Sequence, residues 1–135
     1  MAIIHQRITI VRLQKPVKRN LNEELQWFGG SLGLFNLRDK DQSCFRIFIE
    51  LLKSTRKGIG LSSDELASRL NLSRGTIMHH INKLVEAGIV ISYKGKYLLR
   101  VGNLEAVIEE IRKDLERACD DLTSIAREID QGLGL

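Results

Sequence analysis

The sequence predicts a mainly helical α+β chain, with a small β-hairpin behind a group of short helices and a long helix at its C-terminal end. Three stretches carry that expectation. Residues 62–88, SSDELASRLNLSRGTIMHHINKLVEAG, hold two amphipathic helices around a tight turn. Residues 89–101, IVISYKGKYLLRV, are two β-rich runs around Gly95. Leu104, Ile108, Ile111, Leu115, Ala118, Leu122, Ile125 and Ile129 then recur at alternating spacings of four and three, which is a heptad seam.

The elements follow in order. Residues 3–13 (IIHQRITIVRL) are rich in β-branched residues, with Ile4, Ile8 and Ile10 alternating against His5, Arg7 and Thr9. That pattern predicts a strand. KPVKRN is a basic linker broken by Pro16. A short helix is expected over 20–28, capped by Asn20 with Glu23 three residues on, and ended by Gly29-Gly30. GGSLGLF is a glycine-rich loop with no lysine and no phosphate-loop spacing, so no nucleotide is assigned to it. Asp41 or Ser43 starts the next helix, whose CFRIFIELLK run is broken only by the thin polar stripe of Arg46, Glu50 and Lys53. A helix so apolar is buried on most of its circumference. KGIGL predicts a turn and a short strand ending at Leu61. Ser62 and Glu65 have capping-box spacing, and Leu66, Ala67 and Leu70 form the apolar side that follows. Ser73 caps the second helix of the pair and Gly88 ends it. The chain thus divides into an N-terminal strand and linker (1–20), a central domain (21–102) and a long helix (103–135). That helix is roughly 40 Å long at 1.5 Å per residue. Its seam is longer than so small a domain can cover, so a second copy of the chain is expected to pair along it.

The bulk composition sets limits. The 135 residues are 43% apolar with one proline, which excludes a disordered chain. No apolar run approaches the ~18–20 residues needed to span a bilayer, and residues 1–20 lack a signal-peptide core. A soluble, cytoplasmic protein with no membrane partner is expected. Cys44 and Cys119 are far apart in sequence among apolar residues, and two buried thiols are expected rather than a disulfide. The net charge of +4 is segregated: residues 1–102 carry +9 and residues 103–135 carry −5. A basic body with an acidic tail points the body at a polyanion.

The helix over 73–87 decides which chemistry follows. At 100° per residue, Ile77, Ile81 and Leu84 share one face. Gly75, Thr76, His79, Asn82, Lys83 and Glu86 share the other, with His80 at its flank. Adjacent histidines point about 100° apart, whereas helical metal ligands need spacings of three or four. No metal or other cofactor is expected. There is no Ser-His-Asp set and no carboxylate pair near a histidine, so an enzyme is not expected either. DNA contact fits the residue types. The helix starts at Ser63 and Ser73 offer backbone N–H groups to phosphates. Arg74, Thr76, His79, His80, Asn82 and Lys83 suit base edges, and Lys94 and Lys96 on the hairpin suit phosphates.

LSSDELASRLNLSRGTIMHHINKLVEAGIV, followed by a Lys-Gly-Lys hairpin, resembles the winged helix-turn-helix of ArsR-type and MarR-type transcriptional regulators. The run Ser73, Thr76, His79-His80, Leu84, Ala87-Gly88 is most similar to the ArsR side. The resemblance implies a homodimer on a pseudo-palindromic double-stranded operator. Arg74, Thr76, His79, His80 and Lys83 would lie on the groove-facing helix, and Lys94 and Lys96 on the wing. ArsR metal sensors carry a cysteine motif in the helix before the reading head or a His/Asp set on the last helix. Residues 66–70 hold no cysteine and residues 103–135 no histidine, so metal sensing does not carry over. The function expected is a dimeric regulator reading the major groove with 73–87 and phosphate with the wing 89–101. The alternative is a winged-helix protein-interaction module of a transcription or chromatin assembly. Three roles stay open for the N-terminal strand and linker: adding a strand to a partner's sheet, holding Lys15, Lys18 and Arg19 against DNA, or closing the core. No effector is identified; apolar content alone points to the space between the long helix and residues 29–35 as its pocket.

Overall fold

The structure is a computed structural model that describes residues 5–35 and 42–135. Ile3, Ile4 and Asp41 therefore lie outside the described residues. The elements are α1 (Leu21–Ser31), α2 (Ser43–Arg56), α3 (Ser63–Leu70), α4 (Arg74–Glu86), β1 (Val90–Tyr93), β2 (Lys96–Leu99) and α5 (Leu104–Leu133). Three helices and a two-stranded antiparallel hairpin, with a long C-terminal helix behind, make a winged helix-turn-helix.

Local side-chain chemistry starts the helices. Asn20 accepts from the Glu23 N–H at 2.9 Å. Ser62 and Glu65 form the expected capping box at the head of α3. Ser73 accepts from the Thr76 N–H at the head of α4. Between α3 and α4, Asn71 takes the left-handed conformation (φ 54°), which asparagine tolerates better than most residues, and the chain reverses within residues 71–73. At the hairpin tip Lys94 and Gly95 both have positive φ (51° and 76°), so the two strands join through the two-residue turn that suits their twist.

The core lies between α2, α3, α4 and the hairpin. Ile47, Phe48 and Leu51 of α2 meet Leu66 of α3, Ile77, Ile81 and Leu84 of α4, and Val90 and Leu99 of the hairpin, all buried. The polar stripe of α2 faces α3. The Arg46 guanidinium donates to the Leu70 carbonyl at 2.5 Å, satisfying an orphan acceptor at the end of α3, and Glu50 pairs with Arg69 at 3.8 Å.

Four local expectations are corrected. Residues 5–13 form no strand. Their backbone turns to helix ends instead: the Arg7 N–H donates to Glu86 O at 3.0 Å and the Val11 N–H to Ser31 O at 2.7 Å. With those N–H groups given to helix-end carbonyls, the segment forms no ladder, although His5 and Gln6 lie across a cleft from Val90–Ser92 of β1. Second, α1 runs through Gly29-Gly30 and ends at Ser31, with Leu32 as its C-cap and Gly33 at φ 70° after it. Gly29 is a packing slot, since a Cβ there would lie 1.8 Å from the Phe35 ring. Third, the strand expected before Leu61 shrinks to one bridge with Tyr97. Fourth, Cys119 is exposed on α5, while Cys44 is buried as expected.

The N-terminal part of α5, as far as Asp114, docks through Val107, Ile111 and Asp114. Asp114, with 5% of its side chain exposed, joins three parts of the chain. It accepts from Arg100 at 2.5 and 3.1 Å, from the Gln6 amide at 2.9 Å, and from Arg117 one turn on. Arg100 also reaches Gly88 O at 3.5 Å, and Gly88 takes the left-handed φ of 80°, where a Cβ would stand 2.4 Å from Gln6 Nε2 and push that amide aside. The Arg100 hydrogen bonds hold the Asp114 carboxyl below its ordinary value against the opposing effect of burial.

Asp114→Asn should therefore cost about 3 kcal/mol of folding stability, the order found when a buried pair loses one partner. Urea unfolding at neutral pH reads this. A folded-state pKa below the unfolded one stabilises above the ordinary carboxylate range and loses that stabilisation on acidification. The stability gap between parent and variant should therefore narrow below about pH 4. A gap that is small at pH 7, or unchanged on acidification, refutes the role given to this carboxylate.

Candidate nucleic-acid interface

The core fixes how α4 is turned. With Ile77, Ile81 and Leu84 buried, Arg74, Gly75, His79 and Asn82 are exposed, and Thr76 and His80 are half-exposed at the margins. The outer face divides along its length. Its first two turns are open. Its last turn is met by the N-terminal segment, where Lys83, Glu86 and Ala87 line a cleft of about 180 Å³ with Arg7, Thr9 and Leu32–Leu34. Lys83 is half-buried there, and the Glu86 carboxylate stands 3.3 Å from His5 Nδ1. No residue of α5 lines that cleft.

At the head of α4 the hydroxyls are already engaged: Ser73 Oγ caps the helix and donates to Thr76 Oγ1 at 2.8 Å. Arg74 reaches back to Asp64 in the first turn of α3 at 2.8 Å, with both side chains mostly exposed. Ser63, the first residue of α3, is half-exposed beside the capping Ser62. On the hairpin, Lys94 extends over the Tyr93 ring at 5.2 Å, and Lys96 pairs with Glu65 at 2.9 Å. The Lys96 and Ser62 hydrogen bonds pull the Glu65 carboxyl down to about 2, so it stays ionised at any ordinary pH. Two of the expected DNA cations, Arg74 and Lys96, thus hold acidic partners from the first turn of α3. Sequence spacing gave no sign of this, because the pairs cross the helix-turn-helix and the wing. Exposed ion pairs compete poorly with salt and solvent, so both cations can be transferred to a phosphate.

The His79 and His80 rings meet edge to face, centroids 5.0 Å apart, and among the described residues no three His, Cys, Asp or Glu side chains gather as metal donors. Along α5 the eight seam residues separate. Leu104 and Ile108 pack against the chain's own core and Ile111 is 4% exposed within it. Leu115 and Ala118 are exposed, and Leu122, Ile125 and Ile129 are exposed by 69, 54 and 53%. Among the described residues no helix is long and apolar enough to cross a membrane.

Residues 42–93 match the family model described as a helix-turn-helix domain. No curated protein and no solved structure matches the chain. The matched segment takes in α2, α3, α4 and β1, the elements that carry the face just described, and leaves out the N-terminal segment, α1 and α5. The class defined by fold and match is a helix-turn-helix protein with a winged hairpin.

If Glu65 restrains Lys96, Glu65→Gln should free it while keeping the amide oxygen that caps Ser62. Because Lys96 must leave Glu65 to reach a phosphate, binding to a duplex of any sequence should strengthen at low salt by the ~0.2–1 kcal/mol of an exposed pair. Unchanged affinity at low salt would mean that Lys96 does not face the duplex.

Proposed function

We propose that the protein is a dimeric, sequence-specific double-stranded-DNA-binding transcriptional regulator. The open first two turns of α4 carry this reading. They present Arg74, Thr76, His79 and Asn82 outward from a helix whose opposite face is locked in the core. A helix of this size enters the major groove with its N-terminal residues at the base edges. His80 and Lys83 flank that surface. Lys94 and Lys96 lie on the wing to hold phosphates, and the backbone N–H groups at Ser63 and Ser73 supply uncharged phosphate donors. The run Ser73 to Gly88 supports the ArsR-like branch. The work is binding, not catalysis, and needs no cofactor. A DNA reader acts where the DNA is, which is the reason for a cytoplasmic location.

Dimerisation is proposed through the exposed part of α5. Four large apolar side chains, Leu115, Leu122, Ile125 and Ile129, stand in solvent at heptad spacing on one face. A second copy of the same helix covers such a stripe with knobs-into-holes packing. Two reading heads then meet half-sites a helical turn apart, or a multiple of it.

Selection from a random duplex library at about 150 mM salt, where non-specific phosphate contacts are weakened, tests the reading. A two-fold symmetric motif is expected. Binding without any motif, lost as salt rises, would favour the protein-assembly alternative. His79→Ala with Asn82→Ala should lower affinity for the selected site by tenfold or more, from ~1–3 kcal/mol of discrimination per base contact, with no change in melting temperature. Leu122→Asp with Ile125→Asp should give folded monomers by light scattering and weaken operator binding. Ile111 does not serve for that test, because it belongs to the core of its own chain. A doubly substituted chain that is still dimeric would move the interface off α5.

A further inference from the structure

We propose that residues 7–19 form a second DNA contact, a basic strap that follows the phosphates beside the site read by α4; this rests on the DNA-reading function above. Residues 5–19 contain Arg7, Arg12, Lys15, Lys18 and Arg19 and no acidic residue. All five cations are exposed. Among the described residues none of them enters an ion pair, whereas Arg69, Arg74, Lys96, Arg100, Arg112, Lys113 and Arg117 all do. Five like charges with no ion pair among the described residues, and only Glu24 and Glu86 in the clefts beside them, repel one another unless a polyanion is present.

The strap is held in place. The Arg7 N–H is bonded to Glu86 O and the Val11 N–H to Ser31 O. The Trp27 indole N–H donates to Leu13 O at 3.2 Å. Pro16 is half-buried, in a cleft of about 260 Å³ that it lines with Lys15, Arg19, Glu24, Trp27 and Phe28. A charged tail kept only for solubility needs none of these bonds. Because the backbone is already ordered, little conformational entropy remains to be lost when the side chains meet a ligand.

Continuity with α4 identifies the ligand as the same duplex. Arg7 and Lys83 line one cleft at the end of the reading helix. The five residue-to-residue steps from Arg7 to Arg12 span at most ~18 Å of extended chain. At about 3.4 Å per base pair, Arg12 therefore lies within about five base pairs of the end of α4. The strap meets phosphates flanking the half-site and reads no bases.

The test uses the full chain with Arg12→Gln, Lys15→Gln, Lys18→Gln and Arg19→Gln together, and a salt series on the selected duplex. The log–log salt slope should fall by about 3–4, at about 0.9 per phosphate contact, while the selected motif stays the same. Trimming the duplex to the bare motif should lower the slope of the unsubstituted chain by a similar amount, a measurement that involves no variant and no question of folding. Equal slopes for both chains on the long duplex would overturn the strap and leave the reading by α4 standing. So would a slope that is indifferent to trimming. A shifted motif would show that the segment reads bases, against the proposal. If the unsubstituted chain binds no duplex at all, the DNA reading falls and the strap falls with it.

Discussion

The buried carboxylate of Asp114 is the constraint on which the arrangement of the outer parts depends. An ionised carboxylate removed from water is strongly unfavourable unless its oxygens are satisfied. Here the satisfying groups come from distant places: Arg100 just past β2, Gln6 in the N-terminal segment, and Arg117 on α5 itself. Each donor must be where it is for the charge to be tolerated. The wing, the strap and the long helix are therefore fixed relative to one another by one side chain. Gly88 completes the constraint, because its carbonyl takes an Arg100 contact and its missing side chain leaves room for Gln6. The hydrophobic core aligns α2, α3 and α4, but apolar contact is non-directional and does not set how a peripheral helix is rotated. A forked guanidinium on a carboxylate does.

The same logic of shared charge acts on the face proposed to meet DNA, with the opposite physical outcome. Arg74–Asp64 and Lys96–Glu65 lie in solvent, where attraction is weak and screened. They hold the two cations in place without committing them. In the proposed complex the row of duplex phosphates would offer these cations a stronger field than one carboxylate does, and the released acids would remain hydrated. The buried network is thus suited to fixing geometry and the exposed pairs to exchange.

Much of the fold was legible because its signals are local. The Asn20, Ser62 and Ser73 caps, the Asn71 turn and the Lys94-Gly95 tip depend on residues within about four positions, and each forms where the spacing placed it. The face of α4 was legible because three apolar residues at helical spacing fixed its rotation. What was not legible was non-local. Residues 5–13 have strand composition, but their Arg7 and Val11 N–H groups go to the helix-end carbonyls of Glu86 and Ser31, partners that composition does not show. Gly29-Gly30 reads as a terminator unless Phe35 is known to lie against it. Asp114 sits in the polar flank of a heptad pattern and reads as a surface acid. Only its contact with Gln6, 108 positions away, and with Arg100 shows that it is interior.

Asp114 also marks where the long helix changes role. Along α5 the seam is continuous in sequence, yet Val107 and Ile111 are buried on one side of Asp114, while Leu122, Ile125 and Ile129 are exposed on the other. A straight helix of 30 residues, about 45 Å long, carries any rotation at one end to the other. In the proposed dimer the partner grips the far part, so the angle between two reading heads is set where α5 leaves its own domain. That departure is held by Arg100, on the short connection between the wing and α5, and by Gln6, one residue from the strap's first cation. Two copies would then present α4, wing and strap as one rigid unit each, and the spacing of half-sites would follow from the stiffness of α5 and the Asp114 clamp rather than from flexible linkers.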